Sequence, residues 1–283
     1  MSRTDWNRPA PGQYRLRPGF RRIAMTVAYD GRDFCGWQTQ DGQRTVQETL
    51  EQCLKDLTGL TLNVVGSGRT DSKVHAMGQV CHFDLPCESA IPAEAFAKAL
   101  IVPPDITIRS SWEADASFHS RFSAMAREYR YFIRDRRDFT CMERGLATAV
   151  KNLPDVKLMN SYAACLKGTH DFSAFAAAGD LSESKCRDIY ESEVFSCDSP
   201  YGGPVQVFRI CGNAFLYRQV RSMVGTMLCL ARDNAPAEQF AAILESKDRS
   251  RALDTARPDG LYLWRVSFDP DEYGWFEEAP DGN

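Results

Sequence analysis

The first half of the chain alternates strand-like and helix-like segments in the order β-α-β-β-α-β. Alternating or β-branched apolar runs mark the strands, and an apolar stripe between the capping residue Thr45 and Gly59 marks the first helix. This order is that of a ferredoxin-like or RRM-like unit, an antiparallel sheet with both helices on one face. The predicted segments are strands at 22–29, 62–65, 79–83 and 106–112 and helices at 45–59 and 92–100.

The second half contains a comparable set of segments: strands at 127–134, 188–195, 205–210 and 261–268, and helices at 155–166, 215–231 and 236–244. Two similar halves predict a duplicated α+β architecture, with two RRM-like or ferredoxin-like halves around a central antiparallel sheet and a cleft between them. The predicted boundaries are a flexible basic leader at 1–21, an N-terminal half at 22–117, a C-terminal half at 118–268 and an acidic tail at 269–283.

Length and composition are those of an ordinary globular protein. The 283 residues are 43% hydrophobic and 25% charged, and this length favours about two domains. The longest apolar stretch, 220–231, contains Arg221 and is too short to cross a bilayer, and the amino terminus lacks the apolar core of a signal peptide. The ten cysteines form no C-x-x-C pair, which favours reduced thiols. We therefore expect a cytoplasmic protein with no membrane partner.

Charge is unevenly distributed, although the net charge is only -4. Residues 1–22 hold six arginines and one aspartate, residues 121–137 hold six arginines and two acids, and residues 269–283 hold six acids and no base. Phosphates are attracted by the local positive potential and not by the net charge of the whole chain. The arginine-rich segments therefore predict a nucleic-acid surface. A solvated tail and a salt-bridged strand face would give the same pattern, so composition leaves both interpretations open.

Familiar catalytic motifs are absent from the sequence. The four histidines form no i, i+4 pair of the kind that holds zinc, and there is no glycine-rich loop of the P-loop or dinucleotide-binding type. What remains is Asp71, which follows the turn-forming segment 66–68 and Arg69 at the end of a predicted strand. Asp71 is therefore a candidate catalytic carboxylate, although a glycine-flanked aspartate can equally cap a backbone amide.

A catalytic carboxylate has to stay ionised, and burial favours its protonated form. A nearby guanidinium opposes this effect because it stabilises the charged form. Arg221 interrupts an apolar helix pattern that runs from Phe215 to Met227 and is a candidate partner for the acid. A lone arginine on such a helix can also extend to solvent, and the residues alone leave both orientations open.

Six sequence blocks resemble those of the tRNA pseudouridine synthase A family. They occur in the family's order between about residues 22 and 268, nearly the whole chain. The blocks are YDGRDFCGWQTQ (29–40), GRTDSKVHAMGQVCHFD (68–84), FHSRFSAMAREYRY (118–131), GTHDFSAF (168–175), GNAFLYRQVRSMVG (212–225) and DGLYLWRV (259–266).

The resemblance implies roles for individual residues. Asp71 matches the family's catalytic aspartate, and Arg221 matches the arginine that pairs with it. Arg69 matches the arginine that helps displace the target nucleotide, and Tyr129 the tyrosine that packs on the uracil. The resemblance also implies the pseudouridine synthase fold, a homodimer, and activity without a metal, a nucleotide or any other cofactor. The implied substrate is tRNA, at uridines 38, 39 and 40 of the anticodon arm.

Other basic residues are candidates for contacts with the RNA backbone: Lys73, Arg121, Arg127 and Arg130. The family usually has Ala-Gly after the catalytic aspartate, whereas this chain has Ser72-Lys73. Glycine there permits a positive φ or a close approach of RNA, so lysine predicts either an altered loop or an added phosphate contact. The competing interpretation of the whole chain is an RNA-binding module without turnover; ligand spacing disfavours a metal- or cysteine-dependent enzyme.

Overall fold

The computed structural model describes residues 15–269 of the chain, which form five helices and ten strands. The leader residues 1–14 and all of the acidic tail beyond Asp269 lie outside the described residues. The helices are α1 (Val46–Thr58), α2 (Phe96–Ala99), α3 (Val156–Ala164), α4 (Gln219–Arg232) and α5 (Ala237–Ser246). The strands are β1 (Phe20–Tyr29), β2 (Val65–Gly66), β3 (His75–Pro86), β4 (Ile106–Ala114), β5 (Ala126–Asp135), β6 (Thr148–Val150), β7 (Gly168–Asp171), β8 (Cys186–Asp198), β9 (Pro204–Gly212) and β10 (Leu261–Ser267).

Each half has the strand order of a ferredoxin-like unit. The main sheet runs β4-β1-β3-β10-β5-β9-β8-β7, and β2 pairs with β3 beside this path. The first half is therefore ordered β4-β1-β3-β2 and the second β10-β5-β9-β8, which is the same arrangement of fourth, first, third and second strand. The duplicated α+β architecture expected from the sequence is confirmed.

The two halves join through the last strand of the chain. β10 lies between β3 and β5, parallel to β3 with Tyr262 opposite His75, and antiparallel to β5. β6 also pairs with β5 in parallel. The predicted central sheet is thus antiparallel except at these two pairings, and one of them is the seam between the halves.

Several local predictions differ from the structure. Only the end of the predicted strand 62–65 pairs with a neighbour, because Glu51 on α1 accepts the Val64 N–H that a strand partner would take. The predicted helix at 92–100 is a single 3-10 turn followed by the four residues of α2. α4 begins four residues later than predicted, because Arg218 has a left-handed backbone with φ 58° that no α-helix can include.

Two hydrophobic clusters form the core, one for each half. The first packs the inner face of β1 and β3 on α1 and α2, and the second packs β5, β8 and β9 on α3, α4 and α5. Each cluster includes residues from the other half of the chain. Leu263 and Val266 of β10 belong to the first cluster, and Val74, just before β3, belongs to the second. Tyr129 touches both clusters and therefore marks the junction. Within residues 15–269, no helix combines the length and apolar character needed to cross a membrane.

Candidate active site

Asp71 lies in the loop between β2 and β3, at the junction of the two halves. The Val74 N–H donates to the Asp71 carbonyl at 3.1 Å, which closes a four-residue turn around Ser72 and Lys73. Lys73 takes φ 67°, the left-handed backbone that glycine adopts without strain. The Ser72-Lys73 departure therefore leaves a closed turn in place, and the lysine occupies its left-handed position.

A second loop, 31–37, holds this turn from outside. The Trp37 N–H donates to the Thr70 carbonyl at 3.1 Å, and the Lys73 N–H donates to the Phe34 carbonyl at 3.2 Å. Gly36 makes the close approach possible, because a Cβ there would lie 2.6 Å from the Thr70 carbonyl oxygen. Tyr29, at the end of β1, adds a buried hydrogen bond of 2.8 Å between its hydroxyl and that of Thr70. The backbone of Asp71 is thus fixed on both sides.

The side chain of Asp71 meets Arg221 from the other half. The Arg221 Nη1 donates to Asp71 Oδ2 at 2.7 Å, and the two side chains are 12% and 17% exposed. Arg221 therefore points into the junction and not to solvent. The Asp71 carboxylate accepts from this guanidinium and from no backbone amide among the described residues, so the capping interpretation does not hold.

The orientation of Arg221 is set by a tight contact between α4 and the segment 254–256. The Arg221 Nε donates to the Ala256 carbonyl, and the Ala256 N–H donates back to the Arg221 carbonyl, both at 2.9 Å. One turn further along, a Cβ on Gly225 would come within 1.9 Å of the Asp254 carbonyl oxygen. Only glycine at that position lets the helix approach closely enough for these bonds.

Tyr129 lies on β5 at the same junction. Its ring is half-buried and packs edge to face on Phe215, with centroids 5.1 Å apart. Burial raises the pKa of Tyr129 to about 12, the nearby Arg127 cation opposes this shift and the Asp71 charge adds to it. Tyr129 is therefore a neutral phenol at physiological pH, electrostatically close to Asp71.

Three of the predicted basic residues are exposed on segments around this site: Arg69, Lys73 and Arg121. None of them forms an ion pair in the part of the chain that the structure describes. Arg69 and Lys73 flank Asp71 on the same loop. Their positive charges are available to an approaching polyanion.

Arg127 is placed differently from the sequence expectation of an RNA-backbone contact. Its guanidinium donates to four backbone carbonyls, those of Ser67, Arg121, Ala124 and Asn213. Four of its five N–H groups are thus occupied by the protein, and burial lowers the pKa of Arg127 to about 10. Arg127 links segments of both halves and is not free to hold a phosphate.

Arg130 also departs from the expectation. Successive residues of a strand face opposite sides of its sheet, so Arg130 lies on the face away from Tyr129. There its guanidinium covers the Trp264 ring at 4.2 Å and its Nε donates to Glu128 at 2.7 Å. The side chain predicted to contact the RNA backbone therefore lies on the face of the sheet opposite to Tyr129.

Two residues support the site in a way that the sequence did not predict: Tyr29, which had no predicted role, and Arg127, which was predicted to contact the RNA backbone. The hydroxyl of Tyr29 and the guanidinium of Arg127 both hold the loop that carries Asp71, through Thr70 and Ser67. Both residues lie within the sequence blocks that resemble the family, and this position was the available sign that they matter. Their hydrogen-bond partners, Thr70 and Ser67, are distant in sequence and could not be predicted. In the described residues no group of three histidine, cysteine or acidic side chains could hold a metal ion.

Comparison with known proteins gives matches to a single family. A family described as tRNA pseudouridine synthase matches residues 25–123 and 162–269, which include Asp71 and Arg221. The tRNA pseudouridine synthase A of Anoxybacillus flavithermus is 44% identical over 257 residues, covering 88% of this chain and 99% of that protein. The protein of the same name from Treponema denticola is 40% identical over 258 residues, covering 89% of this chain and 94% of its own.

Solved structures give a weaker likeness. A chain of a crystal structure of a Cbf5-Nop10-Gar1 complex is 11% identical, with a TM-score of 0.33, and the match covers 73% of this chain and 54% of that one. So distant a likeness adds nothing to the fold described above. The family match spans well over half of the chain and both halves of the sheet. This chain belongs to the tRNA pseudouridine synthase family.

Proposed function

We propose that this chain converts uridines of the tRNA anticodon arm, at positions 38, 39 and 40, to pseudouridine, with Asp71 as the catalytic carboxylate. Family membership makes it an isomerase that acts on tRNA. The choice of the anticodon arm rests on the resemblance of the six sequence blocks. The observation that supports the role of Asp71 is its 2.7 Å pairing with Arg221 at the junction of the halves, beside Tyr129.

The reaction needs a charged carboxylate and no redox partner. The bond between C1′ of the ribose and N1 of uracil breaks, the base turns, and C5 bonds to C1′. N1 gains a proton and C5 loses one, so atoms and electrons balance within the nucleotide and solvent. An ionised Asp71 can begin either by attacking C1′ or by removing the proton at C2′ to give a glycal. Arg221 supports both routes, because its positive charge stabilises the carboxylate.

The target uridine has to leave its stack before Asp71 can reach the sugar, which costs a few kcal/mol. In this proposal the exposed Arg69, two residues before Asp71, enters the vacated space. Tyr129 offers an uncharged aromatic face to the displaced uracil, and such stacking is worth about 1 to 3 kcal/mol per base. Lys73 and Arg121 add exposed charges for the phosphates, which fix the register of the RNA.

The second face of the sheet supports the proposed homodimer. A hollow of about 300 Å³ opens there among aromatic residues, including Phe132, Tyr262 and Trp264. Tyr201 also lines this hollow and is 45% exposed. Met142, which precedes the lining residue Glu143 in the sequence, is 63% exposed. Exposed apolar surface of this kind is typical of a protein interface, and a second copy of the chain is the proposed occupant.

The proposed compartment is the cytoplasm. The ten cysteines are free thiols, which is compatible with its reducing conditions.

The experiment that tests the function replaces Asp71 with asparagine. We expect Asp71→Asn to bind tRNA with nearly unchanged affinity and to form no pseudouridine, because the amide keeps the shape and loses the charge. Asp41→Asn, at an exposed aspartate outside the site, is the matched control and should retain full turnover. Undiminished pseudouridine formation by Asp71→Asn would refute the role of Asp71. Absence of turnover by the unaltered protein on any tRNA would instead favour an RNA-binding module.

A further inference from the structure

The segment from Phe215 to Arg221 connects two residues of the active site. Phe215 packs against Tyr129 at its beginning, and Arg221 pairs with Asp71 at its end. Between them Leu216, Gln219 and Val220 are buried, whereas Tyr217 and Arg218 are exposed. The two exposed side chains therefore lie on the segment that joins these two contacts, and no step of the proposed reaction uses them.

The backbone of Tyr217 is fixed although its ring is in solvent. Its N–H donates to Asp180 Oδ2 at 2.6 Å, and its carbonyl accepts from the Ala177 N–H at 3.0 Å. Asp180 is in turn held by the Lys185 ammonium, and its side chain is only 5% exposed. Tyr217 as a whole residue is 42% exposed. A large aromatic side chain is thus attached to a backbone that is hydrogen-bonded on both sides, and much of it is accessible to solvent.

Arg218 adds a positive charge to this ring. Its guanidinium lies 4.8 Å from the centroid of Tyr217 and forms no ion pair with any described residue. Its backbone is left-handed, with φ 58° and ψ 14°, a strained conformation for an arginine. Arg218 precedes α4, and its side chain makes no capping hydrogen bond to the helix. Helix formation therefore does not explain why a long basic side chain occupies this position.

We propose that Tyr217 and Arg218 form a second RNA subsite, in which the ring stacks on an unpaired base beside the target uridine and the guanidinium contacts its phosphate. This inference rests on the proposed function, since it requires an RNA strand in the cleft. Eversion of the uridine deprives its neighbour of a stacking partner, and an aromatic ring at the rim replaces that partner. An aromatic ring beside a cation combines the stacking surface and the positive charge that proteins use to bind single-stranded nucleic acid.

Affinity for RNA tests the ring. The probe is a tRNA transcript with uridines in its anticodon arm, titrated against proteins that all carry Asp71→Asn, so that no turnover intervenes. We expect Tyr217→Ala to weaken binding by about 5- to 150-fold, and Tyr217→Phe by less than about threefold, because the ring does the stacking. Leu60→Ala, which removes an apolar side chain of similar exposure in the loop after α1, should leave affinity unchanged. Unchanged affinity of Tyr217→Ala, or equal losses in Tyr217→Ala and Tyr217→Phe, would overturn the stacking role.

Salt dependence tests the cation. Arg218→Gly removes one phosphate contact and the strained side chain together. The plot of the logarithm of the tRNA binding constant against the logarithm of the salt concentration should therefore become less steep by about 0.7, with folding preserved or improved. Lys247→Gly is the matched control, because Lys247 has the same left-handed backbone, φ 55°, at the end of α5. Its slope should equal that of the parent. An unchanged slope in Arg218→Gly refutes the phosphate contact.

The two proposals fail in distinguishable ways. Full turnover by Asp71→Asn would refute the proposed function while leaving the affinity data readable. Loss of turnover in Asp71→Asn with no effect of Tyr217→Ala on tRNA affinity would refute the subsite alone.

Discussion

Replacement of Arg221 by glutamine is the sharpest test of how the site works. The change removes the charge that lies 2.7 Å from the Asp71 carboxylate and the 2.9 Å bond to the Ala256 carbonyl. A hydrogen bond to a charged group is worth about 1.5 to 3 kcal/mol in a protein. If that stabilisation is lost in the transition state, the rate falls by about 10- to 160-fold. Arg221→Lys keeps the charge but not both bonds, so its rate should be intermediate.

The assay is the single-turnover rate of hydrogen release from C5 of uridine in tritiated tRNA, with the enzyme in excess so that binding does not limit the rate. The control is Arg232→Gln, which alters an arginine at the far end of the same helix that is 74% exposed. A thermodynamic check follows from unfolding experiments on Arg221→Gln, Asp71→Asn and the double variant. We expect a coupling free energy of about 0.5 to 3 kcal/mol between the two sites. A rate of Arg221→Gln within a factor of about two of the unaltered enzyme, with zero coupling, would refute the reasoning.

Three further predictions concern the support of the site and the stability of the fold. Tyr29→Phe, which deletes the hydroxyl bonded to Thr70, should cost about 0.5 to 1.5 kcal/mol in denaturant unfolding and lower turnover; an unaltered unfolding midpoint would contradict this. Arg127→Met leaves four carbonyls without their donor, and a loss of at least about 3 kcal/mol in unfolding free energy is expected, whereas a loss below about 1 kcal/mol would show that the link is dispensable. Burial, aided by the Arg22 charge, lowers the pKa of His82 to about 3 and the pKa of His119 to about 4. In the unfolded chain the pKa of each is about 6.5, so between pH 6.5 and 4 both histidines are neutral when folded and take up a proton on unfolding. Their contribution is complete above pH 6.5 and is lost as pH falls toward 4, with a slope of about 1.4 kcal/mol per pH unit for each histidine; His119→Asn should reduce the slope by that amount, and an identical slope in the variant would refute the assignment.

The strand and helix order was predictable because each half is encoded locally. Apolar alternation marks β1 and β5, and the stripe ended by Gly59 marks α1, whose left-handed residue at φ 73° closes the helix. The predictions failed where a local signal was outweighed by a tertiary contact. Val64 is β-branched and was predicted to lie in a strand, yet its N–H donates a hydrogen bond to the Glu51 side chain on α1. The positive φ at Arg218 likewise has no signal in the residue type.

For the site, residue identity carried much of the information and orientation carried the rest. Asp71 and Arg221 were candidates from sequence, and the resemblance to a family linked them. Arg127 and Arg130 are equally basic and three residues apart, but strand alternation turns one toward the junction and the other to the opposite face. Composition cannot distinguish them, because the face depends on which strand neighbours bury which side.

By itself the sequence determined two α+β units, the loop that bears the acid and the family to which the chain is related. Only the tertiary structure decided that β10 inserts between β3 and β5, and that this seam brings Asp71 within hydrogen-bond distance of a guanidinium 150 residues away. The physical reason is range. Periodicity and turn propensity act over a few residues, whereas the register of the seam and the close approach allowed by Gly225 depend on surfaces that exist only after both halves have folded.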